Sequence, residues 1–276
     1  MQNLLTIMQL TFLELRRRRI VLAALACGAG FLMVFAAAIY LLHNFQSPSR
    51  PLLQIRIILQ LQMLVGLYAV NLMTVTVAVM LPVDAISGEI ASGVMQTLAS
   101  KPVRRAQIVL GKWLIYWLMI AAYTTTMIVG VVLVMRVITG FSQPHVPAAV
   151  GLMTLQGTVL LSVVVAGGAR LTTIANGMIA FGFYSVAVVG GWIEQIGVMM
   201  GDSGARYVGT AISLLSPTDA LWRRALYLLQ PPMMSQVAMT PFSSPSVPSV
   251  AMIWWAVAFA VGVLALSTSW FAKRSL

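Results

Sequence analysis

The sequence predicts an all-α polytopic membrane protein with six transmembrane helices, an N-terminal interfacial helix, a short cytoplasmic helix and short outer-leaflet helices before the last span. Three observations predict this. First, 60% of the 276 residues are hydrophobic and only 8% are charged, whereas soluble domains carry about 25% charged residues. That excludes a soluble globular chain, and the high hydrophobicity excludes disorder. Second, six long stretches contain no Asp, Glu, Lys or Arg, and each is long enough for the roughly 20 residues a membrane helix needs. Third, these stretches are apolar on every face, whereas transmembrane barrel strands alternate polar and apolar positions. The net charge of +11 is therefore a matter of topology rather than of nucleic-acid binding. The whole chain, 1–276, is one membrane domain.

Residues 1–19 place Leu4, Leu5, Met8, Phe12 and Leu15 at helical spacing, with Gln2, Thr6, Gln9 and Arg16 toward another face. This predicts an interfacial helix, and the run Arg16 to Arg19 suits an anionic inner leaflet. The apolar run that follows is too long for a cleavable signal segment, so it is a retained span. The spans are expected at 20–42, 57–82, 110–136, 147–169, 174–197 and 250–271. With both termini on one side, that side carries eleven basic residues and the other six. The positive-inside rule makes the termini cytoplasmic.

Two segments outside the spans stand out. On the cytoplasmic side, Pro82 closes the second span, Gly88 and Gly93 allow turns, and Ile90, Val94, Met95 and Leu98 form a short apolar stripe that Pro102 ends. A short amphipathic helix at 84–108 is expected, either shaped to dock into a partner's groove or serving as an ordinary connecting loop. On the outer side, 198–249 is too long for a simple connector. Its first part predicts two short helices lying in or dipping into the outer leaflet, with Thr218 or Asp219 capping the second.

No phosphate loop is present: Gly111 and Lys112 are adjacent, but Trp113 follows and the earlier glycine is missing. The chain binds no ATP that way. His43 and His145 stand alone as solvated loop residues, and with one cysteine, Cys27, they are too few for a metal cage. Met233, Met234 and Met239 are soft enough for cuprous ion but equally serve as apolar filling. A G-x-S-x-G elbow is absent, which disfavours a hydrolase. No ionisable residue stands at mid-depth in the expected spans; Lys112, Arg136 and Arg170 fall near span ends, where they can snorkel. Six spans without a buried ionisable group argue that the energy for transport comes from another subunit. The uncharged polar residues Gln60, Asn71, Thr74, Thr125 and Gln156 either line a translocation path or hydrogen-bond between helices. Ala24, Gly28, Gly182 and Gly190 allow close packing, within the chain or across a dimer.

The cytoplasmic segment reads Asp84-Ala-Ile-Ser-Gly-Glu89, then Gly93, Leu98, Ala99-Ser-Lys-Pro102, Arg105 and Ile108-Val-Leu-Gly-Lys112. This resembles the signature of type 2 ABC transporter permeases, the membrane subunits of ATP-binding-cassette exporters. A second element, Leu214-Leu-Ser-Pro217-Thr218-Asp219 with Arg223, is similar to one in the subgroup that includes the permease of nitrous oxide reductase maturation. Val94 stands where the family often has Thr, and Ser216 where that subgroup has Asn.

The resemblance implies a non-catalytic permease subunit in a bacterial or archaeal inner membrane, paired with a second copy or paralogue. Each permease would dock an ATPase subunit, which carries the ATP and magnesium, through a coupling helix around Gly88 to Leu98. The first and fifth spans would supply much of the dimer contact. Glu89 and Asp84 would present charge to the ATPase or cap the coupling helix, while Arg104, Arg105 and Lys112 would fix its depth against anionic headgroups. Membrane lipids and an extracytoplasmic accessory protein are further expected partners. The uncharged path residues suit lipids, peptides, drugs, sodium, or sulfur- or metal-related cargo. The alternative from another class is an ion-coupled carrier that works without an ATPase.

Overall fold

A computed structural model of the chain describes residues 2–44, 51–91, 93, 105–143, 145–229 and 246–272. The order is α1 (Gln2–Arg17), α2 (Arg19–Asn44), α3 (Leu52–Met80), α4 (Ser87–Ala91), α5 (Arg105–Thr139), α6 (Val146–Gly168), α7 (Thr173–Met200), α8 (Ser203–Leu215), α9 (Thr218–Leu229) and α10 (Val250–Ala272). No strand occurs among the described residues. Six helices, α2, α3, α5, α6, α7 and α10, are long and apolar enough to cross a membrane.

Each expected span has its helix, with ends moved by a few residues. The largest change is the third, which grows from 110–136 to Arg105–Thr139 and so places Lys112 two turns inside its start. Backbone groups unpaired in lipid cost several kcal/mol each, so a helix persists until water or protein can take over its hydrogen bonds.

The fourth span, α6, is the axis of the bundle. It packs against α3, α5, α7, α9 and α10, and its Met153, Leu160, Leu161 and Val164 are fully buried. Pro147 in its first turn suits the start of a helix. By contrast α2 and α10 leave most of their surface outside the bundle.

The outer half of α2 is seated tightly. A Cβ on Gly28 would lie 2.8 Å from Met127 Cε, one on Gly130 would lie 2.7 Å from Leu32 Cδ1, and one on Gly66 would lie 2.7 Å from Phe35 Cε2. Glycine at these crossings lets α2 approach α5 and α3 closely. On the N-terminal side of Gly28, α2 stands away from α3 and α5, leaving an apolar groove of about 620 Å³.

The fifth span turns back at Gly201, whose φ of 70° is left-handed and free of strain only for glycine. Asp202 N–H then donates to Gly197 O (2.9 Å), and Asp202 Oδ1 accepts from Gly204 N (2.8 Å), capping α8. The two short helices expected before the last span are therefore present, and α9 is packed into the bundle. Nearly all of it is buried against α6 and α7.

Candidate functional site

Two clusters of paired charges, at opposite ends of the bundle, hold most of the described acidic residues. The one at the end of the bundle expected to be cytoplasmic is built on residues 81–91. After Leu81 caps α3, Pro82 removes a donor and the chain turns, with Gly88 N bonded to Asp84 O (3.0 Å). This turn points its polar side chains at three other elements. Asp84 accepts from Arg18 Nη1 (2.5 Å), and Arg18 is the one non-helical residue between α1 and α2. Arg18 also pairs with Glu14 of α1. Glu89 pairs with Lys112 of α5, whose Nζ donates a second bond to Ala85 O (3.0 Å). Ser87 Oγ meets Thr173 Oγ1 at 2.9 Å, and Asn176 Nδ2 donates to Val164 O (2.9 Å) and reaches Val83 O (3.4 Å). The turn is thus tied to α1, α5 and the start of α7.

This geometry corrects two expected roles. Lys112 is not held against headgroups: its side chain is 5% exposed and Glu89 is 12% exposed. A buried ammonium needs a partner, and Glu89 with the Ala85 carbonyl supplies it. Glu89 therefore faces inward rather than toward solvent, and Asp84, 43% exposed, is directed to Arg18 and caps no helix. Ile90 packs on the core and Gly93 takes a φ of 75°. Val94, Leu98, Pro102 and Arg104 lie outside the described residues, as do Met233, Met234, Met239 and the Arg105 side chain.

The outer cluster is built on α7, α8 and α9. Arg223 Nη2 donates to Glu194 Oε2 (2.9 Å) and lies 3.3 Å from Ser213 Oγ. Its Nε is 2.9 Å from Asp219 Oδ2. Glu194 also accepts from Ser246. All three charged residues are buried. The helix i,i+4 spacing of Asp219 and Arg223 sets one contact, so Asp219 serves as a pairing group, not as a cap. Glycines make room: a Cβ on Gly191 would sit 1.9 Å from Asp219 Oδ2, and one on Gly209 would sit 2.6 Å from Glu194 N. Burial pushes the Asp219 carboxyl up to about 6, with Arg223 opposing and the nearby Glu194 adding to the rise. Thr218 and Pro217 are buried at the head of α9, where Ser216 Oγ donates to Phe183 O (3.1 Å).

The expectation of six spans free of a buried ionisable group is therefore wrong. Glu194 lies in the last third of the fifth helix, inside the span already expected at 174–197, and its side chain is buried, as is that of Lys112 in the third. The argument that scarcity of buried charge excludes ion coupling loses its basis. What the cluster offers is a guanidinium already shared between two carboxylates. No sequence signal linked Glu194 with Arg223, which lie far apart along the chain; the Asp219 to Arg223 spacing was the only local hint.

The five path candidates are not brought together. Gln60 Nε2 donates to Leu229 O (3.2 Å) and its Oε1 accepts from Gln143 (2.7 Å). Asn71 donates to the Tyr184 hydroxyl (3.0 Å). Thr74 and Gln156 are buried, while Thr125 is exposed on α5. None of the five lines the groove beneath Gly28. For Gln60 and Asn71 the interhelical bonding expected as the alternative is what occurs. Of the small residues, Gly28 and Gly190 pack within the chain, while Gly182 has open space.

Six membrane-length helices, with α6 at their centre and a tethered turn between the second and third, define a polytopic helical membrane protein. The chain matches the family described as ABC-2 family transporter protein over residues 5–276. It belongs to that family, and with it to the multi-pass membrane proteins. Among curated proteins none matches it.

Proposed function

We propose that this chain is the permease subunit of an ABC exporter, without catalysis of its own, acting with a second permease copy or paralogue and a separate ATPase. The ATP and magnesium belong to the ATPase, both termini are cytoplasmic, and the assembly sits in a bacterial or archaeal inner membrane. The observation that carries the reading is the three-way tethering of residues 81–91. A helix docked on an ATPase does work only if its displacement reaches the spans. Here Glu89 with Lys112 leads to α5, Asp84 with Arg18 leads to α1 and α2, and Ser87 with Thr173, together with the Val83 carbonyl and Asn176, leads to α7. The ATPase shifts the bundle only so far as it binds one arrangement of these contacts better than another.

The test is reconstitution of the full chain with a candidate ABC ATPase. Glu89→Gln is expected to leave the complex assembled but to reduce transport per ATP hydrolysed. A failure to form any complex, or unchanged coupling in that variant, would sink the proposal. Asp219, held near neutral pH in its titration, favours one second reading, an ion-coupled carrier. That reading requires transport in vesicles under a proton gradient with no ATPase present.

A further inference from the structure

The groove under Gly28 is open on the side of the bundle, and its walls fix what can fill it. Its lining includes Phe12 of α1, Val21 and Ala24 of α2, Met73 of α3, and Met119 and Tyr123 of α5. The two threonines in its wall have no polarity to spare: Thr76 donates to Leu72 O and Thr126 to Ala122 O, each at 2.8 Å. An occupant must therefore be apolar along its length. The volume, about 620 Å³, lies within the roughly 300–1,000 Å³ of ligand sites.

The two ends of the groove differ. At the inner end of the lipid it closes where Gly28 meets Met127. At the other end, Ile20 lines it and Arg19 is exposed and enters none of the described ion pairs, in contrast to Arg18 beside it. Arg19 adjoins the lining residue Ile20 at this end, and a guanidinium next to an apolar slot complements a phosphate at the head of an acyl chain. We propose that this groove holds one anionic phospholipid of the leaflet in contact with α1, its tail along α2, α3 and α5 and its phosphate on Arg19, and that this lipid fills the gap left by the splayed inner half of α2. The proposal does not depend on ATPase coupling and stands or falls separately from it.

Cys27 is the chain's one cysteine, lines the groove and is exposed, so it reports occupancy. The full chain would be reconstituted in phosphatidylcholine vesicles with or without phosphatidylglycerol, and the rate of Cys27 alkylation by a membrane-permeant maleimide measured. Phosphatidylglycerol is expected to slow alkylation about fivefold, the factor corresponding to one basic contact with an anionic lipid, and one phosphatidylglycerol per chain should survive into native mass spectrometry. Arg19→Gln should abolish both effects. Ala24→Phe should exclude the retained lipid, and inorganic phosphate added to phosphatidylcholine vesicles should change nothing. Equal rates in the two vesicle types with no retained lipid would overturn the proposal. So would protection that survives Arg19→Gln, or protection in both vesicle types that disappears as protein is diluted in lipid, which would assign the groove to a second copy.

Discussion

The cytoplasmic and outer charge clusters use the same side-chain types to opposite ends. In the outer one, Arg223 is enclosed with Glu194 and Asp219 between helices that glycines bring together, and none of the three reaches solvent to any extent. In the cytoplasmic one, each pair joins a different element to one turn, and Asp84 is substantially exposed. An exposed pair contributes about 0–1 kcal/mol, whereas removing one partner of a buried pair costs about 3–5 kcal/mol. Burial, not the number of charges, thus separates a fixed joint from an adjustable one. The outer cluster keeps α7, α8 and α9 as one body; in the inner turn the Glu89–Lys112 pair is buried to the same degree, and only the Asp84–Arg18 contact can exchange partners at small cost.

The sharpest test of this contrast is Arg223→Met, which strands two buried carboxylates. It is expected to destabilise the protein by about 3–5 kcal/mol, read as a large fall in thermal unfolding temperature in detergent. Lys112→Met should come next, at about 2–3 kcal/mol, since it removes charged hydrogen bonds to Glu89 and Ala85. If Lys112→Met proves silent, the cytoplasmic cluster is looser than its burial indicates.

Asp219 gives a pH slope. Its folded value of about 6 lies above the unfolded value of about 3.9, so the folded state holds more protons between them. The stability it supplies is complete below about pH 4 and is lost as pH rises through about 6. The stability of the wild-type chain relative to Asp219→Asn should therefore fall across that window, as thermal unfolding at stepped pH would register. The charged groups facing Asp219 are Arg223 and Glu194. The smallest expected effect is that of Asp84→Asn, under about 1 kcal/mol in stability. A larger loss would mean that the Arg18 contact is structural in the same sense as Arg223.

The spans were legible because lipid imposes one rule on all of them: uninterrupted apolar residues for the membrane's thickness. Their positions followed directly from the absence of charge. The short helices before the last span were legible as elements, through apolar residues interrupted by Ser216, Pro217, Thr218 and Asp219; the Asp202 cap was not. Their burial was not, because Asp219 and Arg223 look like surface charges until Glu194 is placed beside them. The same reason hid the inward turn of Lys112. A single charged residue near a span end suggests snorkelling, and only its partner's position decides otherwise. The role of Asn176 was invisible for a different reason: it bonds carbonyls, which leave no trace in side-chain pattern.

The one-residue link at Arg18 has a mechanical consequence. Arg18 N–H bonds Leu15 O and its own carbonyl accepts from Val21 N, so α1 and α2 meet at a stiff elbow, and Asp84 grips the elbow itself. Gly28 lies ten residues along, about 15 Å, and Asn44 a further sixteen, about 24 Å. Beyond Gly28, Leu32 and Phe35 clamp α2 on α5 and α3, so a sideways displacement of Arg18 is taken up by bending of the ten-residue arm before Gly28 and does not swing the far end of the first span.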